Sequence, residues 1–228
     1  DPDIIDMQEV LHHQLEVLKT GLPEYTVVGV GREDGKTAGE YAPIFFKQAK
    51  YTLLDQNTFW LCEKPDSVGM VGWDAALTRI ATWVKLQDKK TGQILMVVNT
   101  HFDHIGTEAR RNSALLIIEK IKEIVGTSPA ILTGDFNVSE DWDAYKTITN
   151  NEFILKDAHK VAGKRTGVDF TYHNFGKIPA EKCEKIDFIF VTPQIRVISS
   201  YIPFSQLNDT LFLSDHNPEI VELEIEKS

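Results

Sequence analysis

The chain has 228 residues, 42% of them hydrophobic and 25% charged, an ordinary globular composition with apolar material for one core. Its 34 acidic against 24 basic side chains leave a formal charge of −10, and with no basic run such a surface disfavours a long polyphosphate backbone as partner. No apolar stretch reaches the roughly 18 residues that span a bilayer, and Cys62 and Cys183 have no spacing of a zinc signature or disulfide framework, so they read as free thiols.

Taken in order, residues 3–10 (DIIDMQEV) open as a short strand with Gln8 and Glu9 near its end. Leu11, Leu15 and Leu18 recur at helical spacing, and Gly21 stands where a helix stops. Residues 25–30 are β-rich, 31–39 make a polar glycine-containing loop, and 41–46 form another strand with Glu40 just before it. Residues 51–60 and 80–86 are strand candidates separated by the irregular stretch 62–74. The turn at 88–92 joins 80–86 to 94–99 as a hairpin. The apolar run 94–99 leads into Thr100, His101, Phe102, Asp103 and His104. Thr107 reads as the N-cap and Glu108 as a first-turn acid of a helix whose apolar face runs from Ile117 to Val125 and stops at Gly126.

Residues 130–137 (AILTGDFN) are an apolar run that ends at a glycine and then presents two polar side chains. In extended backbone, residues two apart share a face, which puts Asp135 beside Asn137 and turns Phe136 to the core. A carboxylate and an amide side by side suit a site that activates water and handles phosphate; the alternative is an Asx-rich turn after a strand. Residues 141–149 are a short helix and 153–179 are irregular. Residues 185–191 (KIDFIFV) are a strand carrying Asp187, a costly acid among apolar neighbours unless paired. Residues 195–201 are a further strand, 213–218 (LSDHNP) a loop and 220–225 the closing strand. Strands outnumber helices and the hairpin demands antiparallel pairing. The expected fold is therefore α/β, a two-sheet sandwich of mainly antiparallel strands with helices on the outer faces, in one domain over residues 1–228.

Five motifs lie at or beside strands: Gln8-Glu9-Val10, Asn99-Thr100-His101, Gly134-Asp135-Phe136-Asn137, Ile186-Asp187-Phe188 and Ser214-Asp215-His216. In this order they resemble the endonuclease/exonuclease/phosphatase superfamily, which includes apurinic endonucleases, sphingomyelinases, inositol polyphosphate phosphatases and deadenylases. The resemblance implies a divalent-metal-dependent hydrolase that cleaves a phosphate ester by in-line attack of an activated water. It assigns Glu9 to the metal with Asp215 near it, and Asp135 to the attacking water. It assigns Asn137 to the phosphoryl oxygens, His216 to the phosphate with Asp187 holding it, and His101 to the scissile phosphate with Glu40 as its carboxylate partner. Oxygen donors without a Cys or His cluster suit Mg²⁺ or Mn²⁺.

The acidic surface favours a small-molecule or lipid-like phosphate ester over nucleic acid, with a monomer expected. Trp60, Trp73, Arg79 and residues 170–173 are candidates for a substrate rim, although such aromatics are more often core. Arg110 and Arg111 read as a solvated helix face. The family's first strand, with an Asn that helps hold the metal, has no counterpart before Glu9, so an upstream strand and helix of roughly 20–40 residues are expected. That missing Asn also supports an alternative, a phosphate-ligand-binding module that has lost turnover. The compartment is not legible in the sequence.

Overall fold

The computed structural model describes residues 1–126, 128–208 and 211–226. In chain order the elements are β1 (Ile4–Asp6), α1 (His12–Gly21), β2 (Tyr25–Val28), β3 (Ile44–Lys47), β4 (Tyr51–Trp60), β5 (Ile80–Asp88), β6 (Ile94–His101) and α2 (Thr107–Val125). There follow β7 (Ala130–Asp135), α3 (Asp143–Thr149), β8 (Lys156–Asp157), α4 (Ala158–Val161) and β9 (Lys164–Gly167). The chain closes with β10 (Asp187–Val191), β11 (Ile195–Ile202), β12 (Gln206–Asn208), β13 (Leu211–Phe212) and β14 (Ile220–Ile225).

Side-chain alternation along the central strands builds the layers. Met96 and Val98 of β6, with Ala130 and Leu132 of β7, face one way and pack with Phe188 and Phe190 beneath Ile117, Ile121 and Tyr145 of α2 and α3. Leu95, Val97 and Ile131 face the other way, against Ile44 and Phe46 of β3 and Ile195 and Val197 of β11. Phe45, between Ile44 and Phe46, turns outward to Leu15 of α1. The result is helix, sheet, sheet, helix: the expected two-sheet sandwich with helices outside. The first sheet runs β4-β5-β6-β7-β10-β8, and the opposing layer is hydrogen-bonded in two pieces, β1-β3-β2 and β14-β11-β9. Pairing is antiparallel except for β6 with β7 and β9 with β11.

The β5–β6 hairpin forms as its turn residues require, with the Lys90 and Thr91 amides donating to Asp88 Oδ1 at 2.9 and 2.7 Å. Four local readings change. The first strand stops at Asp6, because Glu9 takes a left-handed backbone (φ 58°) and Val10 meets Tyr41 as an isolated bridge. The N-cap of α2 is Gly106 rather than Thr107. Its free amides at Glu108 and Ala109 are taken by the carboxylate of Asp74, 35 residues away from Ala109 in sequence, a partner no local pattern reveals. Asn137 lies beyond β7, with φ 50°, so strand alternation does not place it. Residues 153–179 hold β8, α4 and β9; the exposed Lys164-Arg165-Thr166-Gly167 has no apolar period and becomes a strand only by pairing in parallel with β11.

Gly134 is register partner to Thr100 on one side and Phe188 on the other. A Cβ at Gly134 would run into the Thr100 carbonyl. Gly134→Ala is expected to destabilise the protein by about 3 kcal/mol, the upper end of the overpacking range. The check is the urea midpoint at constant m-value; an unchanged midpoint would mean that β6 and β7 are not held this close.

Candidate active site

The site begins with strand register. β6 and β7 run parallel and end together, with His101 opposite Asp135. β10 runs antiparallel to β7 and starts at the same level, with Asp187 opposite Asp135. Residues directly opposite share a face of the sheet, so one row carries imidazole, carboxylate and carboxylate. His101 Nε2 lies 3.4 Å from Asp135 Oδ2. Asn137 joins them from the turn: its amide N donates to Asp135 Oδ1 at 2.9 Å, and its Nδ2 lies 3.1 Å from His101 Nε2 and donates to the Phe102 carbonyl at 3.0 Å. Asp135 and Asn137 thus converge through an Asx-type turn, while Phe136 is fully buried.

The loop before β14 brings His216 over this row. His216 Nδ1 is 2.7 Å from Asp187 Oδ2, and its Nε2 is 3.9 Å from Asp135 Oδ2. The Tyr172 ring lies 4.9 Å from the His216 ring, centroid to centroid. Thr171 ties the two segments together. Its hydroxyl accepts from the amides of Ile186 and Asp187 at 3.0 and 3.1 Å, and its carbonyl accepts from Asn217 at 2.7 Å. Asn217, 1% exposed, also accepts from the Ser205 amide and donates to the Phe170 carbonyl.

On the other side of His101 stand Glu9 and Glu40. These three residues each place a ligand atom within 4.8 Å of the others, as do Asp135, Asp187 and His216. Glu9 is delivered by hydrogen bonds of side-chain amides between the sheets. Gln8 Nε2 donates to Asn99 Oδ1 at 2.7 Å, and Asn99 Nδ2 donates to the carbonyls of Met7 and Pro43 at 2.7 and 2.9 Å. Glu40 gives its carboxylate to Arg32 at 2.5 Å, while Glu9 stands 3.9 Å from His101 Nε2. The carboxyl group of Glu9 titrates above its usual range, through partial burial and then the charges of Glu40 and Asp215. Mutually repelling carboxylates around Glu9 are the donor set of a hard divalent cation, and the residues fit one.

The titratable groups are driven apart. Burial, then the charge of Asp187, raises Asp135 to about 7. His101 is pushed well down by burial and by Arg79 and Arg32, which leaves it neutral. Burial also works against charging His216, but the hydrogen bond and charge of Asp187, with Asp135 and Asp215, outweigh it and raise His216 to about 9. A base near neutrality, a neutral imidazole and an imidazolium therefore meet in one cluster, as proton transfer beside an anion requires.

Of the candidates for a rim, Tyr172 and Arg79 adjoin the cluster, Trp73 is half-buried, and Trp60 is 5% exposed with its indole donating to the Arg32 carbonyl. Arg110 corrects the solvated-face reading: it is 4% exposed and lies over the Trp142 ring at 4.8 Å, while Arg111 is exposed. Arg32 was missed as a site-building residue, while Asn99 and Thr171, named within a motif and a rim candidate, were not read as the groups that fasten the site. Arg32 sits in a polar loop with no pattern around it; Asn99 carried a signal, an amide in an otherwise apolar strand.

A sequence model described as the Endonuclease/Exonuclease/phosphatase family matches residues 1–216. Among solved structures, an endonuclease/exonuclease/phosphatase from Bacteroides vulgatus superposes with a TM-score of 0.95 at 65% identity, over 98% of this chain and 85% of that one. A mannosyl-6-phosphatase from Bacteroides thetaiotaomicron gives 0.91 at 38% identity, over 98% and 85% of the two chains. An uncharacterized protein of Acanthamoeba polyphaga mimivirus is 29% identical over 98% of this chain and 87% of its own length.

In the metal-free protein, imidazole NMR is expected to show His216 protonated at neutral pH and titrating near pH 9. Its folded value lies above the ordinary imidazole value of 6.5, so its contribution to stability is complete below about pH 6.5 and fades as pH rises through about 9. In Asp187→Asn the titration is expected to move down toward the ordinary imidazole range; an unmoved titration would remove Asp187 as the cause.

Proposed function

The chain belongs to the endonuclease/exonuclease/phosphatase family, and on that premise we propose that it hydrolyses a small phosphate monoester, of the sugar-phosphate class, with Mg²⁺ or Mn²⁺ as cofactor. The observation that carries this reading is the Asp135 carboxylate, set 3.4 Å from His101 and 3.9 Å from a His216 that Asp187 holds at 2.7 Å. The net charge of −10 supports a small substrate over a nucleic acid, and the 38%-identical mannosyl-6-phosphatase supports a sugar phosphate within that class.

Each residue then has a role that its surroundings allow. Asp135, with a pKa of about 7, orients the attacking water and takes its proton. Asn137 and the protonated His216 donate to the phosphoryl oxygens as charge develops there. Asp187 keeps His216 charged and turned toward the phosphate. His101, neutral, stands on the opposite side of Asp135 and completes the wall against the scissile group. Glu9 and Asp215, with Glu40 beside them, would hold the cation. When bound, it supplies charge neutralisation at the phosphoryl group and the leaving oxygen.

Mannose 6-phosphate with Mg²⁺ or Mn²⁺ is expected to release inorganic phosphate, and EDTA to stop the release. Asp135→Ala is expected to lower kcat by about 10³-fold, within the range for a general base. Turnover undiminished in that variant would refute the assignment. A protein that binds Mg²⁺ but turns over no ester in a panel of sugar, inositol and nucleotide phosphates would instead be the non-catalytic module.

A further inference from the structure

Behind the Asp187–His216 pair lies a second ion pair, sealed from solvent. Lys185 and Glu219, with side chains 6% and 2% exposed, are 2.8 Å apart. Lys185 precedes Asp187 by two residues, and its Nζ also donates to the Asp187 carbonyl at 2.7 Å and sits 4.0 Å over the Phe188 ring. Glu219 follows His216 by three residues. Its other oxygen accepts from Ser200 Oγ at 3.2 Å, and that hydroxyl is 2.8 Å from His159 Nδ1. Ser200 is a fully buried residue of β11, so the pair is anchored to the opposing sheet layer.

A buried ion pair is a poor source of stability, because desolvation offsets its attraction and apolar replacements of similar volume are often neutral or stabilising. What this one does have is position. It grips the chain on both sides of the hydrogen bond that joins β10 to the His216 loop, where Thr171 holds the Asp187 amide and Lys185 holds its carbonyl. Those two segments approach from 29 residues apart in sequence, and a misplacement of about 1 Å in a reacting group costs roughly 10²-fold in rate.

We propose that Lys185 and Glu219 are positioning residues: through their buried ion pair they hold Asp187 and His216 in register for phosphate contact, without touching substrate themselves. This rests on the hydrolase reading above. The test compares the full chain with Lys185→Met/Glu219→Leu and with Glu219→Gln, which keeps the volume and removes the charge. Three quantities are measured: thermal midpoint, the downfield NMR signal of the His216 Nδ1 proton without metal, and kcat and KM with Mg²⁺ on mannose 6-phosphate.

The double variant is expected to stay folded, with a midpoint within a few degrees of the parent. Its His216 signal shifts or broadens, and kcat falls about 10²-fold with KM within about threefold. Retention of both signal and kcat would overturn the proposal, since the pair would then be structural filling only. If the double variant does not fold, Glu219→Gln decides: an unaltered signal and kcat overturn the proposal, a disturbed signal supports it. If the parent protein hydrolyses nothing, the hydrolase reading falls, and the His216 signal by itself decides whether the pair positions that residue.

Discussion

The level at which three strands stop governs this molecule. β6 and β7 are parallel and β10 is antiparallel to β7, so one row of the sheet holds His101, Asp135 and Asp187 as immediate neighbours. Were β10 to slip by one residue, every side chain on it would change face. Asp187 would then leave the row, and Phe188 and Phe190 would leave the core beneath α2 and α3. The hydrophobic pattern that packs those phenylalanines is therefore what keeps the carboxylates together. Packing energy is spent on register, and register is what places the chemistry.

Around that row, neutral polar side chains do the fastening. Asn99 and Gln8 carry Glu9 across from the other layer, Thr171 and Asn217 carry His216 down from its loop, and Asn137 ties His101 to the turn after β7. Buried polar groups that are fully bonded specify a unique arrangement, because every alternative leaves some of them unpaired. The charged groups can then be crowded. With burial, the charge of Asp187 raises the proton affinity of Asp135 and that of Glu40 raises the proton affinity of Glu9, a crowding that an unsupported surface cluster would relieve by moving apart. The surroundings also separate the two imidazoles: His216, bonded to Asp187 with Asp135 and Asp215 near it, holds its proton, while His101, buried and near two guanidinium groups, gives its proton up.

Much of this is legible in the sequence. The apolar runs at residues 94–99 and 130–135 announced buried strands, and the turn residues at 88–92 announced antiparallel pairing in a layered architecture. The motifs around Glu9, His101, Asp135, Asp187 and His216 named the residues that the fold gathers. Asn137 was named for an incomplete reason: it reaches Asp135 by a left-handed turn, not by strand alternation. The short pieces β8, α4 and β9 and the ribbon β12–β13 escaped, because two to four residues carry no period and form only against a partner distant in sequence. Arg110 escaped for a related reason, since burying a guanidinium depends on Trp142 and the Asp103 carbonyl, neither of which its own helix supplies.

The sequence by itself determined the elements whose periodicity exceeds a turn or two, the class of fold they build, and the chemical types available at their ends. Those properties are local: a hydrophobic period, a glycine or an acid beside an apolar run is read within a few residues. Only the tertiary structure decided how near each carboxylate comes to each imidazole, that Glu40 turns to Arg32 while Asp135 and Glu9 face His101, and which of the two histidines, His101 and His216, is charged. Those outcomes depend on distances and burial among residues tens of positions apart, and such separations exist only once the sheets have packed.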